Sequence, residues 1–425
     1  MKRNIIIAVM LILMLSIGLH SATRYMDVML GGSRIGWYET EYDTLSGGII
    51  ITENSAMKLS VYSNTVNVSG RNVTIYDNDG RIQKFFSSIN SEQMNFYSNG
   101  FVENDTLFVK TMIGSREQRD TFDIKNRNIF FNIEAITDEM LSDDLYMFNP
   151  MTHSLESVTI EEMEKNDQYD KVYDVSSPTL TSRIFIEDSE VVRTVSREGI
   201  VMVKADSLNK ELVSVNLLDF FEIKAEGDFS TITSDTVGKY VIKAIDDMEL
   251  DNYRQVMNGD TLYVYKRALE TPELTPLNEL YVRGNDETRK IYKKLAGGSD
   301  ESVLRSIMDY VGKRLDDRIV SGLVGIDEIL RMNHGDCTEH AQLFAAIALE
   351  GGYDTDIVSG IVYSKGIFFY HAWNRVVAGG NVYTIDPTFG QFNADVSHIQ
   401  LSAGYPPTRV LMKKLQEQLK IIKIK

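Results

Sequence analysis

Three short runs hold the side chains that could do chemistry: Gly335-Asp336-Cys337-Thr338-Glu339-His340-Ala341, then His371-Ala372-Trp373, then Ile385-Asp386-Pro387-Thr388. A thiol, an imidazole and a carboxylate in that chain order are the parts of a nucleophilic acyl-transfer site. The thiol attacks as thiolate, the imidazole accepts and returns a proton, and the carboxylate fixes the tautomer of the ring. Cys337 is the single cysteine among 425 residues, so it has no internal disulfide to form. Its polar neighbours Asp336, Thr338, Glu339 and His340 argue against deep burial as a small hydrophobe.

These groups need elements to hold them. A helix is predicted to begin at Cys337, carry Ala341, Leu343, Phe344, Ala345, Ile347 and Ala348, and end at Gly351-Gly352. Backbone N–H groups at a helix start favour negative charge, so the expectation is a stabilised thiolate with a lowered pKa. Gly335 permits a close approach, and the N–H of Cys337 is available to an oxyanion hole. His371 falls on a predicted strand over Phe368–Val377, and Asp386 ends the next one, Val382–Ile385. A turn around Gly379-Gly380 makes the two strands antiparallel neighbours, with both side chains facing the start of the cysteine helix. A metal reading from Cys337, His340 and His371 is weaker, because a structural zinc site wants four ligands and more cysteine. No metal and no cofactor is expected.

Around these runs, helices are predicted over Glu287–Leu295, Glu301–Leu315 and Asp327–Met332, and a strand over Ile357–Tyr363. Residues 285–425 therefore read as an α+β domain, helices first and antiparallel strands after. Thr271-Pro272-Glu273-Leu274-Thr275-Pro276 opens a linker placed at 271–284. Residues 23–270 read as a β-rich region of antiparallel sheets, a sandwich with possible division into two β subdomains. Its strands include Val61–Val68, Asn72–Tyr76, Phe101–Ile113, Arg183–Val192 and Val237–Ile245. Two fragments, Asn104–Val109 and Gly259–Val264, each read as a turn entering a strand, a match that turn chemistry explains without duplication. The acidic stretch between Glu134 and Asp170 reads as solvated surface. The basic tail Arg409–Lys425 reads as a helix and an edge strand guarded by lysines.

A formal net charge of −17 gives no basic footprint for nucleic acid. Hydrophobic content of 43% with 25% charged residues fits a folded protein with sizeable cores. Met1–Ala22, with Lys2 and Arg3 before the apolar run Ile5–Leu15, reads as an export signal or an N-terminal anchor. The expected location is periplasmic or extracellular, with no membrane span in the mature chain and a peptide or protein as substrate.

The three runs resemble the three blocks of the transglutaminase-like superfamily: Gly335 to Ala341, Tyr370-His371-Ala372-Trp373, and Asp386-Pro387-Thr388-Phe389-Gly390-Gln391. The likeness is to secreted bacterial proteins whose transglutaminase-like domain shares the papain-like cysteine protease fold. It spans about Glu287 to Leu401, and Asp395-Val396-Ser397-His398-Ile399 resembles the segment after the aspartate block. Met29–Tyr38, with Gly36-Trp37-Tyr38, resembles β-rich regions that accompany such domains. The resemblance implies Cys337 as nucleophile, His371 as general acid/base and Asp386 as orienting carboxylate, supported by Gly335, Asp336 and Trp373. The implied chemistry is attack on a carboxamide or peptide carbonyl, giving a thioester that water hydrolyses or an amine cross-links. One departure stands out. The domain has no tryptophan before Trp373, and the position six before Cys337 is Arg331, so no side-chain oxyanion donor is identified. The contrasting reading is a non-catalytic envelope module that keeps the fold to bind a partner.

Overall fold

Alternation of apolar and polar residues builds the first unit, Met1–Asn216. In Thr106–Ile113 the residues Leu107, Val109, Thr111 and Ile113 are buried while those between face outward, the period-two pattern of a strand with one face on a core. The structure, a computed structural model, describes residues 22–61, 64–92, 95–131, 145–164, 168–188, 190–196, 199–216, 223–243, 250–318, 320, 324–404 and 420–424. The expected export segment, except Ala22, lies outside the described residues, as do 134–144 and 165–167 of the acidic stretch and 409–419 and 425 of the basic tail.

Eight strands form an outward meander: β1 (Ala22–Leu30), β2 (Ser33–Leu45), β3 (Gly48–Val61), β4 (Asn64–Asp77), β5 (Ile82–Ser91), β6 (Asn95–Glu103), β7 (Thr106–Ile113) and β8 (Arg116–Asp123). After them come β9 (Asn128–Phe130), β10 (Leu145–Asn149), β11 (Ser154–Glu162), β12 (Lys171–Ser176), β13 (Thr181–Glu187), β14 (Glu190–Ser196), β15 (Ile200–Ala205) and β16 (Val215–Asn216). β15 pairs antiparallel with β1, so the two runs join into one 16-stranded sheet with β8 at one end and β9 at the other. Phe148 of β10 lies 5.3 Å from Phe85 of β5 and 5.5 Å from Phe122 of β8, ring centre to ring centre. The sheet thus curls so that its ends share one apolar cluster, with Leu107, Val109 and Ile129. Two separate β subdomains are not what the described strands form. The Asn104–Val109 fragment is a hairpin entry: Asn104 and Asp105 both take positive φ, as a two-residue turn between twisted strands requires.

The second unit is Leu217–Lys425. It opens with β17 (Ile223–Glu226), β18 (Val237–Lys243), β19 (Gln255–Asn258) and β20 (Thr261–Tyr265). Helices α1 (Glu279–Val282), α2 (Asp286–Leu295), α3 (Asp300–Arg314), α4 (Ile326–Met332) and α5 (Cys337–Glu350) follow, with the short β21 (Asp316–Asp317) and β22 (His334–Gly335) between them. The chain closes with β23 (Asp354–Ser364), β24 (Ile367–Ala378), β25 (Asn381–Asp386), β26 (Gln391–Phe392), β27 (Ile399–Ala403) and β28 (Lys420–Ile424). Every residue from Thr338 to Ala348 in α5 is buried, so this helix runs through the core, as its unbroken apolar and small side chains dictate.

Two expectations are corrected here. The division falls after Asn216 and not near 270, because β17 to β20 belong to the second unit's sheet, ordered β19-β20-β18-β28-β17-β24-β23-β27. Ile223, Tyr240, Leu262 and Val264 share a core with Ile361, Phe368, Val396 and Ile399. The 271–284 segment is likewise fixed to this unit: Leu280, Tyr281 and Val282 are buried, and the Thr275 N–H donates to Asp356 Oδ2 at 2.9 Å. The second correction concerns the tail. β28 lies between β18 and β17 and is no edge strand; Ile421 is fully buried, and Lys423 pairs with Asp235 at 2.7 Å.

Candidate active site

Cys337 is the first residue of α5, and the turn before it is tightly specified. Asp336 is the N-cap, accepting from the Thr338 N–H at 2.8 Å, while the Glu339 carboxylate reaches back to the Asp336 N–H at 2.9 Å. This reciprocal capping box satisfies donors that the helix cannot satisfy itself. Gly335 has a steric cause: a Cβ there would sit 2.3 Å from Glu339 Cβ. The N–H of Cys337 takes no part in the cap bonds, which run from Asp336, Thr338 and Glu339.

His371 lies on β24, opposite Gly360 of β23, and Asp386 is the last residue of β25, which pairs with β24. The two meet: His371 Nε2 is 2.8 Å from Asp386 Oδ2. Asp386 is fully buried, and its other oxygen, Oδ1, accepts the N–H groups of Thr388 and Phe389 at 2.9 and 3.0 Å. Because Nε2 is committed to Asp386, Nδ1 is the ring nitrogen left for other work. The amide of Ala372, the residue after His371, lies on the Cys337 side of β24 and favours the ionised form of its sulfur. The helix that begins at Cys337 packs against the strand that carries His371.

Trp373 is buried and stacks alongside His371, centroids 6.2 Å apart at 24°, and meets His398 edge-on at 5.1 Å. The other stacking partner is Phe389, parallel to the His371 ring at 4.7 Å and 12° and 40% exposed. Phe389 thus presents an apolar surface to solvent beside the histidine, a role that the sequence reading missed.

The electrostatics around Cys337 pull in opposite directions. Cys337 keeps partial exposure as a residue, yet protein surrounds its sulfur closely. Burial pushes its thiol well above the ordinary value; the carboxylates of Asp336, Glu339 and Asp386 add to this, and the Ala372 N–H opposes it. These influences oppose the thiolate that the helix start favours. Glu339 itself is raised well above the usual carboxylate range by burial and by the neighbouring charge of Asp336. Asp386 goes the other way. Burial alone would raise it, but His371 and His398 hold it far below the usual range.

His398 is the second residue missed. Its Nε2 lies 3.0 Å from the same Asp386 oxygen, and its Nδ1 lies 3.2 Å from Asp395 Oδ1. The signals the sequence offered were the i,i+3 spacing of Asp395 and His398 and the resemblance of Asp395–Ile399 to the segment after the aspartate block. The approach is possible because Gly360 has no side chain: a Cβ there would lie 2.0 Å from the Ile399 carbonyl oxygen. Strands from the region expected to be separate also hold this segment. Tyr240 donates to the Val396 carbonyl at 2.8 Å, Arg254 to the Asp395 carbonyl at 2.9 Å, and Gln255 to the Gln400 carbonyl at 3.1 Å.

The ligand atoms of His371, Asp386 and His398 lie within 4.8 Å of one another, a spacing that a cation could bridge. The same atoms make the hydrogen bonds just described, which account for the cluster. The other candidate set is not assembled as a ligand group among the described residues: His340 Nδ1 is bonded to the Asp336 carbonyl at 2.8 Å.

Comparison with known proteins places these elements. The family model described as the transglutaminase-like superfamily matches residues 289–387. A search of curated proteins finds none that matches. Among solved structures, a candidate cysteine protease from Cytophaga hutchinsonii is similar at 9% identity and TM-score 0.26, covering 43% of this chain and 78% of that one. A β-barrel-like protein with a domain of unknown function from Brucella abortus is similar at 12% identity and TM-score 0.31, covering 46% and 97%. A candidate protease from Parabacteroides distasonis ATCC 8503 is similar at 8% identity and TM-score 0.20, covering 81% and 70%. Residues 289–387, which contain Cys337, His371 and Asp386, are a transglutaminase-like domain.

Proposed function

We propose that this chain is an exported cysteine-dependent acyl-transfer enzyme acting on peptide or side-chain amides. The family match supports a cysteine-dependent enzyme in general. The observation that carries the finer reading is the 2.8 Å bond from His371 Nε2 to Asp386, on a strand whose Ala372 amide acts on the Cys337 sulfur. In this reading His371 takes the thiol proton through Nδ1 as sulfur attacks the carbonyl carbon. The tetrahedral oxyanion is met by the Cys337 N–H at the helix start. The proton then passes to the leaving amine, and the acyl group stays on sulfur as a thioester. Water completes hydrolysis, or a second amine completes transfer. Asp386 orients the ring and offsets the charge it gains.

Phe389 and its exposed face favour an acyl donor with an apolar group near the reacting carbonyl. Export rests on the Lys2-Arg3 start and the apolar run to Leu15. Intact-mass analysis with an acyl-donor peptide library tests the chemistry: wild type should gain the acyl mass on Cys337, and Cys337→Ala should gain none. Partitioning of the trapped species to added amines separates transferase from hydrolase. One observation favours the alternative of a non-catalytic envelope module, namely the burial and carboxylates that push the Cys337 thiol up. A chain that forms no acyl-enzyme with any donor would establish that second reading.

A further inference from the structure

His398 faces a carboxylate with each ring nitrogen while being fully buried. A neutral imidazole carries one N–H and can donate to one of them only, leaving a lone pair against the other carboxylate. Protonation of Asp395 could relieve that clash, but its Oδ1 already accepts the Ser397 N–H at 2.9 Å and the Ser397 hydroxyl at 2.6 Å, bonds that favour the ionised form. The arrangement that satisfies every group is an imidazolium between two carboxylates. We propose that His398 is a permanent buried cation that shares Asp386 with His371, so that Asp386 orients the His371 ring while part of its charge is already offset. Asp395 and His398 are positioning residues: they act through Asp386 and touch no substrate.

The charges around His398 are few. Asp386 comes from the end of β25, Asp395 from the segment before β27, and His371 from β24. Arg254 approaches the same segment and donates to the Ala394 and Asp395 carbonyls, and the Tyr240 phenol donates to Val396. Burial works against a cation here, yet the hydrogen bonds to Asp386 and Asp395 and their charges hold the His398 pKa above its ordinary value. Without the His398 charge, Asp386 would act undiluted on His371, its direct hydrogen-bond partner, and more weakly on the sulfur. The thiol proton would then move to His371, giving a thiolate–imidazolium pair.

The inference rests on the acyl-transfer reading for its consequence, but its tests need no substrate. In the full-length protein, nitrogen-15 NMR of the histidine rings should show both His398 nitrogens protonated at pH 8. The signal is assigned by its loss in His398→Gln or, if that variant does not fold, by elimination through substitutions of the other histidines. A bare ring nitrogen on His398 at that pH overturns the proposal. The second readout is iodoacetamide alkylation followed by intact mass, unambiguous because Cys337 is the single cysteine. At pH 7 His398→Gln and Asp395→Asn should each alkylate about tenfold faster than wild type, the change that one pKa unit gives. Unchanged rates in the folded variants would overturn the relay. Absence of an acyl-enzyme with a doubly protonated His398 would instead sink the enzyme reading and leave this one standing.

Discussion

Asp386 has all its acceptor capacity in use, with Thr388 and Phe389 on one oxygen and His371 and His398 on the other. Replacing it with Asn turns one side of that set into a donor facing a donor. Asp386→Asn should therefore disorder the His371 tautomer and lower kcat on a working acyl donor by roughly 10³–10⁴-fold, measured against wild type at saturating substrate. The same carboxylates couple folding to pH. Asp386 and Asp395 are both held below their ordinary range in the folded chain, the hydrogen bonds outweighing burial. A carboxylate with a depressed folded pKa stabilises above its unfolded value, about 3.9, and loses that contribution as pH falls toward the folded value. Thermal unfolding should thus show stability falling as pH drops below about 4, and Asp395→Asn should flatten that fall.

At the scale of elements, glycine decides how closely β23, β27 and the α5 cap can approach. Gly360→Ala would place a Cβ 2.0 Å from the Ile399 carbonyl oxygen, so β27 must move away from His371. The expected cost is about 1–3 kcal/mol by urea unfolding, as for other overpacked cores. Tyr240→Phe removes one bond to Val396 and should cost about 1 kcal/mol. These elements were unequally legible. α5 and the strands flanking Asp386 follow from apolar periodicity and glycine punctuation, and their sequence-read boundaries differ by a few residues from Asp354–Ser364, Ile367–Ala378 and Asn381–Asp386. Phe101–Ile113 reads as one strand and Asn104-Asp105 inside it as a turn; the turn stands and divides the strand into a hairpin. His398 was illegible as a site residue, because its role depends on strand pairing between β23 and β27 that no local pattern announces. For the thiol, the helix start and the opposing Asp336 and Glu339 were both visible in the sequence, whereas its burial and the approach of Asp386 come from the fold.

For the molecule as a whole, the decisive feature is that strands 223–265 are in the same sheet as the strands that carry His371 and Asp386, although the linker-like prolines suggested a boundary after them. Sequence could not show this, since a strand names its face but not its partner. Residues 217–425 expressed alone should unfold cooperatively, whereas residues 285–425 should not, having lost Tyr240, Leu262 and Val264 from the shared core. Circular dichroism melts of the two fragments check this. The account's central claim is met most directly by intact-mass analysis of wild type and Cys337→Ala mixed with acyl-donor peptides and quenched in acid. It predicts an acyl adduct on wild type, released by hydroxylamine as a thioester is, and none on the variant. An adduct that persists in Cys337→Ala, or none on wild type with any donor, would contradict it.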